Sequence, residues 1–426
     1  MDRALIVGMN TTTNLNTNQG KERFDLAMDE MVSLVKACNM EAVGRIAQNM
    51  ESPNAATYIG AGKVQEVREM VRTLEADIVI FDNGLSPIQL RNLSRELNCP
   101  IMDRTTLILE IFSARARTRE ARLQVEVARL QYMLPRLVGL HDALSRQGGA
   151  SGAMSNKGAG EKKLELDRRR LEQRLTSMRR ELDEIVGERK TQRKKRTASG
   201  IPRVALVGYT NAGKSTIMNA LLSAYVGNEE KKVYEEDMLF ATLDTTVRRI
   251  TPPEQNAFLL SDTVGFISNL PHNLVKAFRS TLEEVREADL LIQVIDYSDE
   301  NYREQIQVTE DTLKELGAAD IPMIYVYNKA DLCGMGEFAT VQGSDKLYMS
   351  ARSRNGIDTL LTLITGKLSK GYKDCAFIIP YQRGDIVSYL NDHAVVHKTE
   401  YREDGVYVET NVSRIDASRY EEFLVL

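Results

Sequence analysis

Gly208-Tyr209-Thr210-Asn211-Ala212-Gly213-Lys214-Ser215 spells Gly-x-x-x-x-Gly-Lys-Ser. In this pattern the glycines let backbone N–H groups curl round a β-phosphate. It follows the apolar run 204–207 and precedes a helix beginning near Ser215 and Thr216, the strand, loop and helix context that the chemistry requires. Lys214 is suited to place a point charge between the outer phosphates, and Ser215 to put its hydroxyl on Mg²⁺. By itself this loop specifies a nucleoside triphosphate and leaves the base open.

The base is read at Asn328-Lys329-Ala330-Asp331, directly after the strand-like run 323–327. A carboxylate such as Asp331 accepts from both N1–H and the exocyclic amine of guanine, whereas adenine offers no such donor pair, and a carboxylate left unpaired by the wrong base is costly. Met349-Ser350-Ala351 fits the loop whose backbone N–H reaches the guanine O6. The expected ligands are therefore GTP and GDP. Between these segments lies Asp262-Thr263-Val264-Gly265, after the run 257–260. Here Asp262 is expected to hold Mg²⁺ through water and the Gly265 N–H to sense the γ-phosphate. Phe240-Ala241-Thr242-Leu243-Asp244-Thr245-Thr246 stands where a first switch belongs. Thr242 is the choice to close over Mg²⁺, with Thr245 as its rival. Catalysis is thus assigned to Lys214, Thr242 and Gly265, and the metal to Ser215 and Thr242, with Asp262 acting through water. Any one of these motifs reads equally well as a surface turn; four in the required order, each after a strand, do not.

Gly265 is followed by Phe266, where many small GTPases carry a glutamine that orients the attacking water. An apolar side chain cannot do that. Slow intrinsic turnover is expected, with a partner, an ion or another residue completing the site. Asn211 has two readings: in a subgroup of GTPases an asparagine at that position helps bind K⁺ near the phosphates, and otherwise it hydrogen-bonds the loop. His393 and His397 are four apart, yet no third ligand accompanies them, so solvated or capping histidines are expected rather than a zinc site.

The elements around these residues set the organisation. At 426 residues the chain exceeds what one hydrophobic core usually supports. Residues 1–104 alternate short apolar runs with amphipathic ones, which reads as a small α/β domain. From Thr105 a long helix is expected to end at Pro135. A glycine-rich connection, 148–160, is expected to be non-helical. A second helix follows, with Leu164, Leu171, Leu175, Met178, Leu182 and Ile185 at helical spacings, and zips against Leu123, Val127, Leu130 and Leu134 as an antiparallel hairpin. Residues 105–200 form that hairpin and a charged linker at 193–200, residues 201–368 the nucleotide-binding domain, and residues 369–426 a small α+β module. The fold class is α/β: a phosphate-loop domain preceded by the small α/β domain and the long helical hairpin, and followed by the small α+β module. No run of about 18 apolar residues spans a bilayer and no secretory signal is visible, so a cytoplasmic address is expected; separately, a monomer is expected. Cys38, Cys99, Cys333 and Cys375 lack a Cys-x-x-Cys pair and read as structural thiols. The net charge of −4 conceals a basic concentration from Arg168 to Arg196, which suits a phosphate-rich surface. The competing reading is a solvated face laced by Glu165, Asp167, Glu172 and Glu181.

Several segments before the phosphate loop narrow the family: Tyr58-Ile59-Gly60-Ala61-Gly62-Lys63, residues 82–93, residues 103–109, Leu123-Gln124-Val125-Glu126 and Leu134-Pro135-Arg136-Leu137. Together with Phe240-Ala241-Thr242-Leu243-Asp244 and Asp262-Thr263-Val264-Gly265-Phe266-Ile267, they resemble the HflX family of GTPases over nearly the whole chain. The resemblance implies a translation factor that binds the large ribosomal subunit in the GTP state, splits stalled or idle ribosomes, and leaves after hydrolysis. It also implies that the hairpin tip reaches toward rRNA near the peptidyl-transferase centre; no DNA partner is implied. The tip departs from the family's short Gly-Gly-x-Gly-x-Arg-Gly-Pro-Gly-Glu loop, with Asn156-Lys157-Gly158-Ala159 in place of the arginine and proline. Two other readings compete. One is an interaction protein that uses nucleotide mainly for structure and binds RNA or a protein through the hairpin. The other adds a second, ATP-binding site at Gly60, Gly62 and Lys63.

Overall fold

The computed structural model describes all residues except 12–17, 148–156, 199–200, 227–238, 241–242, 244, 254, 269–278, 335–338 and 426. The chain divides into two compact units. The first holds residues up to Ile185 together with Phe240 and Ser268; the second holds Ala241–Ile267, Arg279–Leu426 and the phosphate-loop segment.

In the first unit, β1 (Arg3–Thr11), β2 (Glu41–Met50), β3 (Ile78–Phe81) and β4 (Ile101–Asp103) form a parallel sheet in the order β2-β1-β3-β4. The helices α1 (Asn18–Ala37), α2 (Ala61–Thr73) and α3 (Pro87–Leu97) connect the strands. Parallel strands are buried on both faces and therefore read as continuous apolar runs: residues 4–7 are completely buried. Ser86 and Gln89 start α3 with a reciprocal capping box, Pro87 supplying the fixed φ of a first helical residue.

The long helix expected from Thr105 is two helices. The Asp103 side chain accepts from the Thr106 N–H and starts α4 (Arg104–Arg115), which ends where Ala116 turns extended. The Thr118 hydroxyl then accepts from the Ala121 N–H and restarts the chain as α5 (Arg119–Gln147). This helix runs through Pro135 instead of ending there. Proline removes one N–H from the helix ladder, and Arg136 on the next position ties this turn to Asp103 at 2.9 Å and to the Leu85 carbonyl. α6 (Lys157–Ala198) begins inside the glycine-rich connection and runs through most of the presumed linker, so Gly158 and Gly160 and residues 193–198 are helical, against expectation. Val127, Leu130 and Leu134 of α5 pack against Leu171, Leu175 and Met178 of α6, the anticipated hairpin seam. Arg168, Arg170, Arg174 and Arg180 are ion-paired with Glu172, Asp167, Glu126 and Glu184. Part of the basic face is therefore laced by acids, as the competing reading required. The residues of the tip, 148–156, lie outside the described residues.

Arg104 is 3% exposed and pairs with Glu30 at 2.6 Å, while also donating to the Ser268 carbonyl at 2.8 Å. The Phe240 ring packs edge-on against Phe112 with centroids 4.6 Å apart. At the proposed second nucleotide site, the Gly60 N–H is taken by the Gln48 side-chain Oε1 at 2.8 Å and Lys63 pairs with Glu66 at 2.6 Å. Donors that a phosphate would need there are already engaged.

The second unit is built on a seven-stranded sheet ordered β10-β11-β9-β8-β5-β7-β6. Its strands are β5 (Arg203–Gly208), β6 (Thr246–Ile250), β7 (Phe258–Asp262), β8 (Leu290–Asp296), β9 (Met323–Asn328), β10 (Thr340–Gln342) and β11 (Lys346–Tyr348). The two edge strands run antiparallel to their neighbours and the rest are parallel. Helices α7 (Lys214–Tyr225), α8 (Arg279–Arg286), α9 (Tyr302–Leu316) and α10 (Ile357–Leu368) accompany it, and Val204, Leu206, Ile217, Leu221, Ile292, Ile324 and Leu360 sit in one core. A second sheet follows, ordered β13-β14-β12-β15, from β12 (Tyr372–Ile379), β13 (Val395–Arg402), β14 (Gly405–Ser413) and β15 (Leu424–Val425). One of its faces packs on α11 (Gly384–His393) and α12 (Arg414–Arg419) through Phe377, Ile386, Leu390 and Val408. His393 ends α11, its ring stacked on Tyr389, whereas His397 stands on β13, so the two do not share a helix face. No cluster of three metal-ligating side chains and no helix able to cross a membrane occurs among the described residues.

Candidate nucleotide site

Two conformational demands fix the phosphate loop. Gly208 has φ +141°, and a Cβ there would stand 2.2 Å from the Val294 carbonyl oxygen on β8. Gly213 has φ +95°, and its Cβ would stand 2.2 Å from the Asn328 Nδ2. Both positions need glycine for backbone freedom and for close approach. Asn211 adopts φ +61°, a left-handed conformation that asparagine tolerates better than other side-chain-bearing residues. The loop then enters α7, whose first N–H groups point outward as every helix N-terminus requires, with Ser215 and Thr216 half-buried in that first turn.

Lys214 is buried at the base of the loop. Its ammonium donates to the Gly208 and Tyr209 carbonyls at 3.1 and 2.8 Å. Burial pulls its pKa down to about 8, opposed by the Asp262 charge. A cation held short of full solvation and pointing at carbonyls gains strongly from an anionic ligand. Asp262, fully buried at the end of β7, accepts from the Ser215 hydroxyl at 2.6 Å. A hydroxyl and a carboxylate brought to hydrogen-bond distance beside a phosphate loop are the hard oxygen donors Mg²⁺ takes directly or through water, so the residues present fit that ion. Thr263 is turned inward, its hydroxyl on the Leu206 carbonyl at 2.6 Å.

The segment after Asp262 runs along the phosphate loop as a short parallel bridge. The Phe266 N–H donates to the Gly208 carbonyl at 3.1 Å, and the Thr210 N–H to the Phe266 carbonyl at 2.9 Å. Gly265 lies so close that a Cβ would come within 2.7 Å of the Thr210 Cα and 3.0 Å of the Lys214 amine. Val264 and Phe266 are buried, and Thr210, 6% exposed, has a buried hydroxyl with no hydrogen-bond partner among the described residues.

Asn328 closes the far side. Its Nδ2 donates to the Ala212 carbonyl and its Oδ1 accepts from the Ala351 N–H, both at 2.9 Å. Lys329, at φ +62°, reaches Asp296 at 2.7 Å. Asp331 lies exposed in the short helix Ala330–Cys333, and Ser350 and Ala351 are buried just after β11, where the Met349 carbonyl accepts from the Ala330 N–H at 3.1 Å.

The structure thus brings together Gly208 to Ser215, Asp262 to Gly265, Asn328, Lys329, Ser350 and Ala351. Phe240 belongs to the other unit. Ala241 and Thr242 lie outside the described residues, while Thr245, the rival of Thr242, is described and half-buried just before β6. Sequence reasoning missed Asp296 and Val294. The signal for Asp296 was present, an acid closing the apolar strand Leu290–Asp296 in the way Asp262 closes Phe258–Asp262; Val294 acts through its carbonyl, which leaves no trace in the side-chain pattern.

Comparison with known proteins fits this geometry. Residues 203–329 match the family described as 50S ribosome-binding GTPase, 25–113 and 115–196 the N-terminal and middle regions of GTP-binding GTPases, and 339–424 the HflX C-terminal domain. The chain is 42% identical over 398 residues to the GTPase HflX of Caldanaerobacter subterraneus, covering 93% of this chain and 90% of that one. The chain belongs to the HflX family of GTPases. Other HflX GTPases show the same extent of likeness: that of Escherichia coli is 39% identical over 91% of this chain and 89% of its own, and that of Akkermansia muciniphila 42% identical over 93% and 92%. The protein is accordingly a GTP-binding P-loop GTPase with the α/β architecture of the HflX family, whose fold generally uses Mg²⁺.

Proposed function

We propose that this HflX-type GTPase is a cytoplasmic, monomeric translation factor. In its GTP state it binds the large ribosomal subunit, separates stalled or idle ribosomes, and is released by hydrolysis that the subunit accelerates. The observation that carries this reading is the match of residues 203–329 to a family described by its binding to the 50S subunit. The site residues support it by what they lack. Phe266 is 3% exposed and pinned by its backbone, so position 266 offers no glutamine to orient water, and in this reading turnover waits on another contribution.

In the same reading the loop 208–216 holds the phosphates and Lys214 spans the outer two. Ser215 and Asp262 hold Mg²⁺ directly and through water, joined by Thr242 when the first switch closes. Gly265 donates its N–H to the γ-phosphate, and Asp331, Ser350 and Ala351 read guanine. Bound Mg²⁺ offsets the charge on the phosphate oxygens during transfer. The four parts 1–104, 105–200, 201–368 and 369–426 are the proposed domains, the hairpin being the part directed at rRNA. Asn211 carries the K⁺ alternative, tested by exchanging K⁺ for Na⁺ in the same assay.

The test is GTP hydrolysis with and without purified large ribosomal subunits, for the natural chain and for Lys214→Ala. Stimulation of at least tenfold that vanishes in Lys214→Ala is expected; equal rates with and without subunits would overturn the ribosome-coupled reading.

A further inference from the structure

Within the second unit, a cavity of about 470 Å³ opens between the last turn of α10 and the outer face of the C-terminal sheet. That volume lies in the range of small-molecule pockets. None of the nucleotide-site residues lines it. We infer that it binds a small organic ammonium ion with an apolar body.

The argument begins with a chain of side-chain amides. Val395, Asn411 and Asp374 lie side by side across β13, β14 and β12. Asn411 Nδ2 donates to the Asp374 carboxylate at 2.6 Å, and Asn256, on the connection between β6 and β7, donates through Nδ2 to Asn411 Oδ1 at 2.8 Å. The carboxylate fixes every orientation: it can only accept, so Asn411 must turn its NH₂ toward it and its oxygen toward Asn256, which must then donate. What remains is the Asn256 Oδ1, buried and with no hydrogen-bond partner among the described residues. A buried acceptor without a donor is unfavourable and is satisfied by whatever brings one.

The opposite wall has the same polarity. Thr365 and Thr362 give their hydroxyl protons to the Leu361 and Asp358 carbonyls of their own helix, which leaves lone pairs facing outward. The last turn of α10 is also the negative end of its dipole. Acceptors on both walls, with the Asp374 carboxylate on the sheet wall, call for N–H donors and positive charge, and they disfavour phosphates and carboxylates. Tyr372, Leu368 and Val395 supply the apolar part of the lining. Gly366 opens the helix side: a Cβ built there meets nothing within 4 Å.

Phenethylamine serves as the probe, with 2-phenylethanol and 3-phenylpropionate as isosteric neutral and anionic controls, titrated into the GDP-bound full chain by isothermal calorimetry. The amine is expected to saturate below 10 mM, and the alcohol and the acid to bind at least about fivefold more weakly. Asp374→Asn, which keeps the acceptor for Asn411, is expected to weaken the amine about two- to fivefold, the scale of an exposed ion pair. Gly366→Leu is expected to abolish binding while leaving GTP hydrolysis unchanged. Should Gly366→Leu fail to fold, Val395→Trp fills the cavity from the facing wall. Equal binding of the alcohol, unchanged binding in both filled variants, or no saturation by the amine would each overturn the inference.

Discussion

The side-chain amide of Asn328 donates to the Ala212 carbonyl at 2.9 Å and stands where a Cβ on Gly213 would have to be, 2.2 Å away. One side chain of the base-recognition segment therefore holds the phosphate loop in shape and dictates the residue type of its neighbour. With its other end on the Ala351 N–H, it joins three segments that are far apart in the sequence. Asn328→Ala leaves the buried Ala212 carbonyl and Ala351 N–H without partners, at about 1–3 kcal/mol. GDP affinity, measured with a fluorescent analogue, is expected to fall by about tenfold to a hundredfold. Gly213→Ala is expected to be as severe alone, but milder when made on top of Asn328→Ala, because the clash is then gone and only the strain at φ +95° remains. Additive losses in that cycle would disprove the coupling.

Lys214 provides a pH test. Burial lowers its pKa in the empty site to about 8, whereas phosphates bound to the ammonium hold it protonated. Nucleotide binding above that pH is thus coupled to proton uptake, and affinity falls as pH rises. Between pH 7 and pH 9, GDP affinity is expected to drop about tenfold. Lys214→Arg, charged throughout, should bind more weakly but show a flatter profile over the same range. A flat profile in the natural chain would mean that the amine is already fully charged in the empty site.

Most of the candidate site's geometry was legible in the sequence because its signals are local: glycines at positions with positive φ, and short polar motifs directly after apolar strands. What escaped is what depends on partners distant in the chain. Asn328 could be assigned to a motif, but not to its contact with Ala212, since nothing in either segment encodes the other. The same holds for the helical region. Heptad-like spacing found the seam of Val127 and Leu130 with Leu171 and Leu175, yet missed the break at Ala116, where the Thr118 hydroxyl starts a new helix. Pro135 misled in the opposite sense, because one missing N–H is a smaller loss than the contacts that Arg136 makes on the next position.

Base selection should follow the single carboxylate of Asp331. An asparagine there can still accept from N1–H but opposes an NH₂ group to the exocyclic amine of guanine, while it can donate to the 2-carbonyl of xanthine. Asp331→Asn is expected to lose at least tenfold in GTP affinity and to gain comparably for XTP, with hydrolysis of XTP retained. Unchanged preference for GTP in competition binding would move base recognition away from this residue.

Restoring a glutamine at 266 is expected not to restore catalysis. The Phe266 backbone is held at both ends by the phosphate loop, through Gly208 and Thr210, and its side chain is 3% exposed. An amide placed there would be buried with its donors and acceptor unmatched, and the packing of the ring would be lost. Together these cost on the order of 3 kcal/mol. Phe266→Gln should therefore lower the melting temperature of the GDP complex and leave the intrinsic hydrolysis rate unchanged or reduced. A faster intrinsic rate at undiminished stability would show that the segment can leave the phosphate loop and aim residue 266 at the γ-phosphate, and that the slow turnover proposed here has its origin in that side chain alone.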